Sequence, residues 1–479
     1  MNTAITPFND LRSWLQHLTN TDRMAVVREG MGLKHELAAV AKRLDGTHAA
    51  YFPKPDGHNI SVISGFAARR SWIAEAMGVK EDELLTRFRD AADNPLPWQE
   101  LESDSAPCQQ VVHTDIDMQA LLPIPTHSEH DSGPYITAGM VIARNPVTGV
   151  QNVSINRIQV HAKDRMALLM LPRHLLAFYK EAQSRGESLP VAIVIGADPL
   201  TLLASQAITQ IDYDELEIAG ALHGAPLPVV KCQTNEVRVP AYAEIVIEGH
   251  ILPDETAQEG PFGEFPRYYS ARESREVIVV DRVTHRRSPV FHTIIPAEME
   301  HLLLGSIPRE ATLLAHLQRS FSNVLDVHLS VGGVGRYHLY VRMSKTHEGQ
   351  PKNVILCAFG AHYDIKHVVV VDEDVDVHQP RQVEWALATR FQADQDLIVI
   401  SGAQGSALDP STTKRLSADV QAEVQPTYKQ GVSAKMGMDA TRPVVYHEHV
   451  FTKVHVPGEN TVDLDLVINP GARVDWLNR

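Results

Sequence analysis

Residues 152–157 read Asn-Val-Ser-Ile-Asn-Arg, and residues 259–264 read Glu-Gly-Pro-Phe-Gly-Glu. Together these stretches supply one guanidinium, Arg157, and two carboxylates, Glu259 and Glu264, five positions apart. An arginine can hold a substrate carboxylate through two parallel hydrogen bonds. Two neighbouring carboxylates can divide into one ionised and one protonated group, which supplies a base and an acid. The combination predicts a reaction that removes one carboxylate and returns one proton.

By itself the spacing of the two glutamates is a weak signal, because Glu and Arg are common surface residues and Gly-Pro-Phe-Gly is ordinary turn chemistry. As whole strings, however, N-x-x-x-x-R followed by E-G-P-x-G-E is similar to the signature of the UbiD-type decarboxylases, which use prenylated FMN. The likeness runs from about residue 8 to about residue 440. From its sequence the chain is identified as a member of this family.

The resemblance implies a mixed α/β (α+β) fold with three domains. We expect an N-terminal α/β domain over residues 1–108 and a central split β-barrel of flavin-reductase type, which holds the cofactor, over residues 109–305. A C-terminal α/β domain that mediates dimerisation should follow over residues 306–440, with an extended tail over residues 441–479. The expected assembly is a homodimer or a larger oligomer built from dimers.

Local patterns support the order of these classes, although they do not reveal the barrel. The chain begins with apolar residues at helical spacing, and its middle contains runs rich in β-branched residues. Helix and strand patterns then alternate, as in an α/β domain. The predicted elements are helical structure within residues 8–44, strands over 191–196, 243–248 and 276–280, helices over 200–209 and 311–320, and strands over 337–341 and 367–371.

Composition is typical of a soluble globular protein, with 44% hydrophobic and 22% charged residues among 479. The net charge of −15 disfavours a nucleic-acid partner. No apolar run approaches the roughly 20 residues of a membrane span, and no secretory signal pattern is visible. The three cysteines include no C-x-x-C pair, which argues against a disulfide framework and a zinc ribbon. We therefore expect a cytoplasmic enzyme without nucleic-acid or membrane partners.

The resemblance also implies the cofactors prenylated FMN, Mn²⁺ and K⁺, with a flavin prenyltransferase as the supplier of the first. The family pattern assigns the metal to Asn152, His174 and Glu215. Amide oxygen, imidazole and carboxylate together suit Mn²⁺. Glu217 remains open as the alternative to Glu215, and on the residues alone His174 also fits a histidine at a helix terminus.

Further residues are assigned to the flavin by the same resemblance. The backbone of residues 154–156 would face the isoalloxazine ring and the phosphate. Arg173 would contact the cofactor and Lys435 its phosphate, although Lys435 also fits a solvated surface lysine. The expected cofactor-binding set is Asn152, Ser154, Ile155, Asn156, Arg157, Arg173, His174, Glu215 and Lys435.

Loss of CO2 from an unsaturated carbon leaves an electron pair that no side chain can accept, so a cofactor must accept it. The resemblance assigns this task to prenylated FMN. Arg157 would hold the departing carboxylate, Glu264 would return the proton, and Glu259 would stay ionised and orient Arg157. Some relatives carry Asp where this chain has Glu264.

Residues 297–309 and 332–336 are the ones that bear on the substrate. His301, Arg309 and Arg336 offer a cationic group for a second carboxylate, similar to the furan-2,5-dicarboxylate decarboxylase branch of the family. Alternatively, Arg309 lies in solvent at a helix start and Arg336 pairs with an acid at a subunit contact.

The function that this sequence favours is reversible, non-oxidative decarboxylation of furan-2,5-dicarboxylate to 2-furoate. One alternative is decarboxylation of an aromatic monoacid, such as a hydroxybenzoate or pyrrole-2-carboxylate. Another is a non-catalytic accessory protein that binds flavin, which the presence of a proton donor disfavours.

Overall fold

A computed structural model describes residues 8–415, 431–459 and 461–472. Residues 1–7 of the expected N-terminal domain, 416–430 of the expected C-terminal domain, and 460 and 473–479 of the expected tail lie outside the described residues. Within the described part the fold is mixed α/β, and a curled central sheet forms a half-barrel, as the sequence predicts.

The chain opens with a small α/β layer. A helix begins after Asp10, whose side chain accepts from the backbone N–H of Ser13 at 2.9 Å. This helix buries Leu11, Trp14 and Leu18 completely, at the predicted helical spacing. The elements are α1 (Leu11–Asn20), β1 (Met24–Val26), α2 (Glu36–Leu44), β2 (Ala49–Phe52), β3 (Ser61–Ser64), α3 (Arg70–Met77), α4 (Leu84–Asp93) and β4 (Gln99–Leu101).

The central part is mostly strand. Its elements are β5 (Val111–His113), α5 (Met118–Leu121), β6 (Tyr135–Ile136), β7 (Met140–Arg144), β8 (Gln151–Ile155), β9 (Ile158–Val160), β10 (Arg165–Leu168), α6 (His174–Ser184), β11 (Leu189–Ile195), α7 (Pro199–Ala204), α8 (Glu215–His223), β12 (Pro228–Lys231), β13 (Arg238–Pro240), β14 (Ile245–Glu259), β15 (Glu273–His285) and β16 (Val290–His292).

Nine of these strands form the sheet that carries the site. Its order is β6-β9-β10-β15-β14-β11-β7-β8, with β5 on the outer part of β15. Strands β7 and β11 are almost wholly buried on both faces, because helices and the N-terminal layer cover them. Strand β16 joins the first sheet, in the order β1-β2-β3-β16, and ties the central part to the N-terminal layer.

The third part is again α/β. Its elements are α9 (Met299–Ser320), β17 (Val324–Leu329), β18 (His338–Met343), α10 (Gln350–Ala361), β19 (His367–Asp372), α11 (Pro380–Arg390), α12 (Ala393–Asp396), β20 (Leu397–Gln404), β21 (Val432–Ala440), α13 (Glu448–Phe451) and α14 (Leu464–Val467). The strands form one sheet in the order β17-β18-β19-β21-β20, and α13 and α14 are short and exposed.

Two predicted helices have different bounds in the structure. The helix predicted over 200–209 is α7, which ends at Ala204, because the chain then turns so that Thr209 reaches Glu215. The helix predicted over 311–320 is the second half of α9, which begins at Met299. The domain boundary expected after residue 305 therefore falls inside a helix. The other expected boundaries stay predictions.

None of the helices in the described part of the chain is long and apolar enough to cross a membrane.

A buried carboxylate at the centre of α9 links the third part of the chain to the N-terminal layer. Glu310 is fully buried and pairs with Arg70 of α3, while its other oxygen accepts from His328 Nδ1 at 3.0 Å and Leu329 N at 2.8 Å. Burial alone would raise the pKa of Glu310, but Arg70 and His328 outweigh it and lower that pKa to about 2. The ionised form of Glu310 therefore stabilises the folded chain.

Glu310→Gln is expected to lower the free energy of unfolding by about 3 kcal/mol at neutral pH, since it leaves a buried guanidinium without its anion. The folded-state pKa is depressed, so this stabilisation is present above the unfolded pKa and is lost as pH falls towards 2. Chemical unfolding of both proteins across this range should show their difference shrinking with acid. The matched control is Glu75→Gln, whose exposed pair with Arg23 should contribute under about 1 kcal/mol.

Candidate active site

The structure brings Arg157, Glu259 and Glu264 into direct contact. Arg157 follows β8, Glu259 ends β14, and Glu264 lies in the loop after β14. Arg157 Nη2 donates to Glu259 Oε2 at 2.8 Å, and Arg157 Nη1 donates to Glu264 Oε1. One guanidinium therefore joins two carboxylates that come from a chain segment about a hundred residues away.

Burial and charge act in opposite directions on Arg157. Its side chain is 8% exposed, and burial alone would lower the pKa of the guanidinium. The carboxylates of Glu264 and Glu259 outweigh burial and raise that pKa. The guanidinium therefore stays charged at any pH at which the enzyme would work. Its charge centre also lies 5.3 Å from the ring centroid of Phe262.

The two glutamates have different surroundings. Glu259 is fully buried and also accepts a hydrogen bond from the Tyr135 hydroxyl at 3.0 Å. Glu264 is 12% exposed, and among the described residues its carboxylate bonds only to Arg157. Glu259 is thus held by two partners, Arg157 and Tyr135, whereas Glu264 is held by Arg157 alone among the described residues.

The loop that carries Glu264 is fixed through its backbone. Gly260 N donates to the Tyr135 hydroxyl at 3.2 Å, and Gly263 N donates to Asp131 Oδ1 at 2.9 Å. Gly260 has φ = +88°, and a Cβ there would lie 2.6 Å from the Ala271 carbonyl oxygen, so only glycine fits. The glycines of the second stretch therefore place Glu264 relative to Arg157.

A cavity of about 140 Å³ lies beside this trio. Arg157 and Glu264 line it, and Glu259 does not. Residues of α9 and of the turn before β18 line it as well, so the cavity lies between the central and third parts of the chain. Its other lining residues are mainly apolar and include Ile155, Leu169, Leu171, Phe262, Phe265, Ile294 and Leu304. An apolar cavity with one Arg–Glu pair suits a flat, acidic ligand.

The three expected metal ligands meet at the start of β8. Asn152 Oδ1 lies 3.1 Å from His174 Nδ1. Glu215 Oε2 accepts from Val153 N at 2.7 Å, and its other oxygen accepts from the Thr209 hydroxyl. Glu215 is 2% exposed and has no cationic partner among the described residues, and burial raises its pKa to about 8. A buried carboxylate without a counter-charge, bonded to the backbone one residue from Asn152, has the chemistry of a ligand to a divalent cation.

Glu217, the alternative to Glu215, lies on the same helix but is only half-buried. Its backbone carbonyl accepts from Leu96 N, and its side chain has no hydrogen bond to Asn152 or His174. Burial raises the pKa of Glu217, whereas at Glu215 the hydrogen bonds from Val153 N and Thr209 offset part of the effect of burial. Of the two, Glu215 is the one in contact with the β8 segment.

The residues expected to bind the flavin occupy two regions. Ile155 and Asn156 line the cavity, and the Ser154 hydroxyl donates to Asn156 Oδ1 at 2.9 Å. Arg173 is the residue before α6, at the helix N-terminus beside the expected metal ligands. Lys435 lies in β21 instead, where its ammonium donates to the carbonyls of Tyr363 and Ile365. These two bonds mean that Lys435 is a buried lysine and not a solvated one.

His301, Arg309 and Gly305 share one face of α9, since they are spaced four residues apart. His301 lines the cavity, and its Nδ1 accepts from the backbone N–H of Ala297 at 3.1 Å. Burial, with a smaller contribution from Arg336, lowers the pKa of His301 to about 3. This lowered pKa favours the neutral imidazole, so His301 would contribute a hydrogen-bonding group rather than a charge, and its role in substrate binding stays a prediction.

The positive charge of this wall comes from arginines. Arg336 lines the cavity and stacks over Phe265 at 4.2 Å. Arg309 lies one helical turn beyond the wall, buried, with Nε and Nη1 lacking hydrogen-bond partners among the described residues. Burial and the charge of Arg336 lower the pKa of Arg309 to about 9, so it remains charged at neutral pH. Arg309 therefore does not lie in solvent at a helix start.

Sequence reasoning missed Asp364 and Tyr135. Asp364 Oδ2 lies 3.8 Å from Arg309 and 3.9 Å from Arg336, and Tyr135 bonds to both Glu259 and Gln159. Neither residue belongs to a motif, and each reaches the site from a different strand or loop. Only the three-dimensional arrangement reveals them.

Three family domains match the chain. They are the 3-octaprenyl-4-hydroxybenzoate carboxy-lyase (UbiD) N-terminal domain over residues 15–92, the Rift-related domain over residues 99–299, and the C-terminal domain over residues 302–440. Together they account for most of the chain.

Solved structures and curated relatives agree with this match. The UbiD-class enzyme HmfF from Pelotomaculum thermopropionicum in complex with FMN is 44% identical, with a TM-score of 0.91 over 96% of this chain and 100% of that one. An evolved dimeric form of HmfF in complex with prFMN is 42% identical, with a TM-score of 0.87 over the same shares. Anhydromevalonate phosphate decarboxylase of Methanothermobacter thermautotrophicus is 38% identical over 81% of this chain and 87% of its own.

Proposed function

The chain belongs to the UbiD family of carboxy-lyases, and from that premise we propose that it converts furan-2,5-dicarboxylate to 2-furoate and CO2 with prenylated FMN. The observation that carries the proposal is that two cationic groups line one cavity. Arg157, with its two glutamates, reaches the cavity from the end of β8, and Arg336, which shares Asp364 with the buried Arg309, reaches it from the turn before β18. A flat diacid would place one carboxylate at each site.

Bound at this cavity, prenylated FMN would supply the electron sink that side chains cannot provide. The residues that would hold it are Ile155 and Asn156 at the ring, with Arg173 near the phosphate. Asn152, His174 and Glu215 would hold Mn²⁺, with K⁺ as a further cation. A flavin prenyltransferase would supply the cofactor. The structures of HmfF in complex with FMN and with prFMN support the choice of flavin.

Arg157 would orient the carboxylate that leaves, because its N–H groups already point to carboxylate oxygens at hydrogen-bond distance. Glu259, anchored by Tyr135, would stay ionised and keep Arg157 in place. Glu264 would give its proton to the carbon from which CO2 has departed. Its position at the cavity wall, with a single anchoring bond, supports that role over the same role for Glu259.

The apolar lining has a function of its own in this scheme. A carboxylate is destabilised relative to CO2 when it is moved out of water, so exclusion of water favours decarboxylation. Phe262, Phe265 and Leu304 would exclude water from the space between the two cationic sites. The same residues would pack against a furan ring.

A second candidate is an unsaturated acid that carries a phosphate. Its support is the 38% identity with an anhydromevalonate phosphate decarboxylase, together with the cationic wall of Arg309 and Arg336, which could take a phosphate as well as a carboxylate. Aromatic monoacids of the hydroxybenzoate or pyrrole-2-carboxylate type are less favoured, since they leave the buried Arg309 and the half-buried Arg336 without a ligand.

The test is a substrate panel. Protein made together with a flavin prenyltransferase would be assayed for CO2 release from furan-2,5-dicarboxylate, 2-furoate, protocatechuate, pyrrole-2-carboxylate and anhydromevalonate phosphate. We expect kcat/KM to be highest for furan-2,5-dicarboxylate by at least about tenfold. A higher value for the phosphorylated acid or for a monoacid would reject the proposed substrate. Absence of turnover with all five would favour the accessory protein.

The metal assignment predicts different outcomes for two neighbouring glutamates. Glu215→Gln keeps the shape of the side chain but removes its charge, so bound manganese is expected to fall about tenfold or more, and the flavin content with it. Metal analysis and flavin absorbance of the purified protein measure both. Glu217→Gln, on the same helix, is the matched control and should retain both. The reverse pattern would assign the metal to Glu217.

A further inference from the structure

Asp364 lies between two arginines, Arg309 and Arg336. We call Arg309, Arg336 and Asp364 the distal site. Asp364 Oδ2 is 3.8 Å from Arg309 Nη1 and 3.9 Å from Arg336 Nη1, which is close enough for an ion pair but too long for a hydrogen bond. Asp364 therefore neutralises one charge of the site without using the N–H groups of either arginine.

In the described part of the chain, the guanidinium of Arg309 lacks protein acceptors for two of its nitrogens, and Arg336 is the member of the distal site that lines the cavity. Nε and Nη1 of Arg309 are buried and lack hydrogen-bond partners among the described residues. The Arg309 side chain is only 5% exposed, so the missing partners cannot be bulk water. A buried guanidinium with two unpartnered nitrogens is costly unless something accepts from it. The distal site is thus built to be completed by an anion.

Asp364 is held in place through its backbone. Its own N–H donates to His362 Nδ1 at 3.1 Å. The ammonium of Lys435 donates to the carbonyls of Tyr363 and Ile365, the residues on either side of Asp364. Burial, with Arg309 next, lowers the pKa of His362 to about 3, so His362 adds no charge. In the described part of the chain, Asp364 is the one acidic side chain within ion-pair distance of Arg309 or Arg336.

We propose that Asp364 tunes the charge preference of the distal site, because its carboxylate weakens the binding of a doubly charged phosphate more than the binding of a singly charged carboxylate. Two guanidiniums and one carboxylate leave a single net positive charge, which one carboxylate balances. A fixed negative charge repels a dianion twice as strongly as it repels a monoanion at the same position. This inference rests on the proposed function for the orientation of the diacid, and it makes Asp364 a specificity residue that chemistry at Arg157 does not involve.

Two ligands that differ only in the distal group provide the test. Terephthalate and 4-phosphonobenzoate share the ring and the carboxylate for Arg157. Their dissociation constants would be measured by calorimetry on protein with bound flavin, at a pH where the phosphonate is a dianion. In Asp364→Asn, binding of 4-phosphonobenzoate is expected to improve about tenfold relative to terephthalate, compared with the unmodified protein. An unchanged ratio in folded Asp364→Asn would overturn the proposal.

Two further variants separate charge from shape and stability. Asp364→Glu keeps the charge and should keep the ligand preference of the unmodified protein. Asp372→Asn is the matched control, because Asp372 is also buried and pairs with two arginines, Arg390 and Arg442, away from the cavity. Its ligand ratio should stay within about twofold of the unmodified value. A shift in Asp372→Asn as large as that in Asp364→Asn would contradict a local effect.

If Asp364→Asn does not fold, the charge balance can be tested in a less charged background. Arg336→Gln alone should shift the preference towards terephthalate, and Asp364→Asn combined with Arg336→Gln should return it towards the unmodified ratio. Equal ratios in the single and double variants would remove Asp364 from the role.

The binding assay needs no turnover, so the two proposals can fail separately. Failure of the unmodified protein to release CO2 from furan-2,5-dicarboxylate, together with the expected ligand shift, would reject the proposed substrate and leave the role of Asp364 intact. Turnover without the shift would do the opposite. Absence of terephthalate binding to the unmodified protein would overturn the distal site itself.

Discussion

Glu264→Gln is expected to retain bound flavin and manganese and to lose decarboxylation by about a thousandfold. General acid catalysis contributes typically 10²- to 10⁴-fold, and glutamine cannot return a proton. The geometry supports a large effect, since Glu264 is the carboxyl of the trio that lines the cavity. Glutamine still accepts from Arg157, so the guanidinium should stay in position.

Two measurements are needed for this variant, CO2 release and exchange of the furoate ring hydrogen with deuterium in the solvent. Both require the same proton transfer, so both should fall together while the flavin spectrum is unchanged. Glu273→Gln is the matched control, because Glu273 also pairs with an arginine, Arg275, at the base of the same loop. Its turnover should stay within about threefold. Normal turnover in Glu264→Gln would remove Glu264 from the role of proton donor.

Arg336→Glu is expected to raise KM for furan-2,5-dicarboxylate about a hundredfold while it changes hydrogen exchange of 2-furoate little. A charge-assisted hydrogen bond contributes roughly 1.5 to 3 kcal/mol, and reversal of the charge adds repulsion. Arg336 reaches the cavity from the turn before β18 and has no hydrogen bond or ion pair with the Arg157 trio in the described part of the chain, so a monoacid held at Arg157 would not need it. Steady-state kinetics with both acids measures the difference.

The control for this variant is Arg342→Glu. Arg342 lies on β18, pairs with Asp326 at 3.6 Å, and does not line the cavity. It tests whether a reversed charge in this sheet disturbs the enzyme in general. Equal effects of Arg336→Glu on the diacid and on 2-furoate would show that the arginine does not bind a second carboxylate.

The structure distinguishes the surroundings of Glu259 and Glu264, which the E-x-x-x-x-E spacing does not. Both carboxylates bond to the same guanidinium, yet one is enclosed by Tyr135 and the other faces the cavity. The difference arises because the β14 strand buries Glu259 within the sheet, while the loop beyond it carries Glu264 outward. This asymmetry separates an anchoring role from a proton-transfer role.

The sequence by itself determined the family, the fold class and the identity of the central trio. This information lies in residues 152–157 and 259–264. The glycines and proline of the second stretch restrict the backbone conformation, and the charged residues of both stretches suit the same reaction. The strands of the middle part and the helical character of the N-terminal segment could also be predicted from the sequence. A segment that buries one face or both faces has a recognisable spacing of apolar residues.

Only the tertiary structure decided which groups carry charge and where they act. Burial and Arg336 favour the neutral form of His301, Arg309 lies behind the cavity wall, and Asp364 lies between two arginines from other elements. The sequence pattern likewise did not predict that α9 begins at Met299. Charge state and contact depend on neighbours that are distant along the chain, and no local pattern records them.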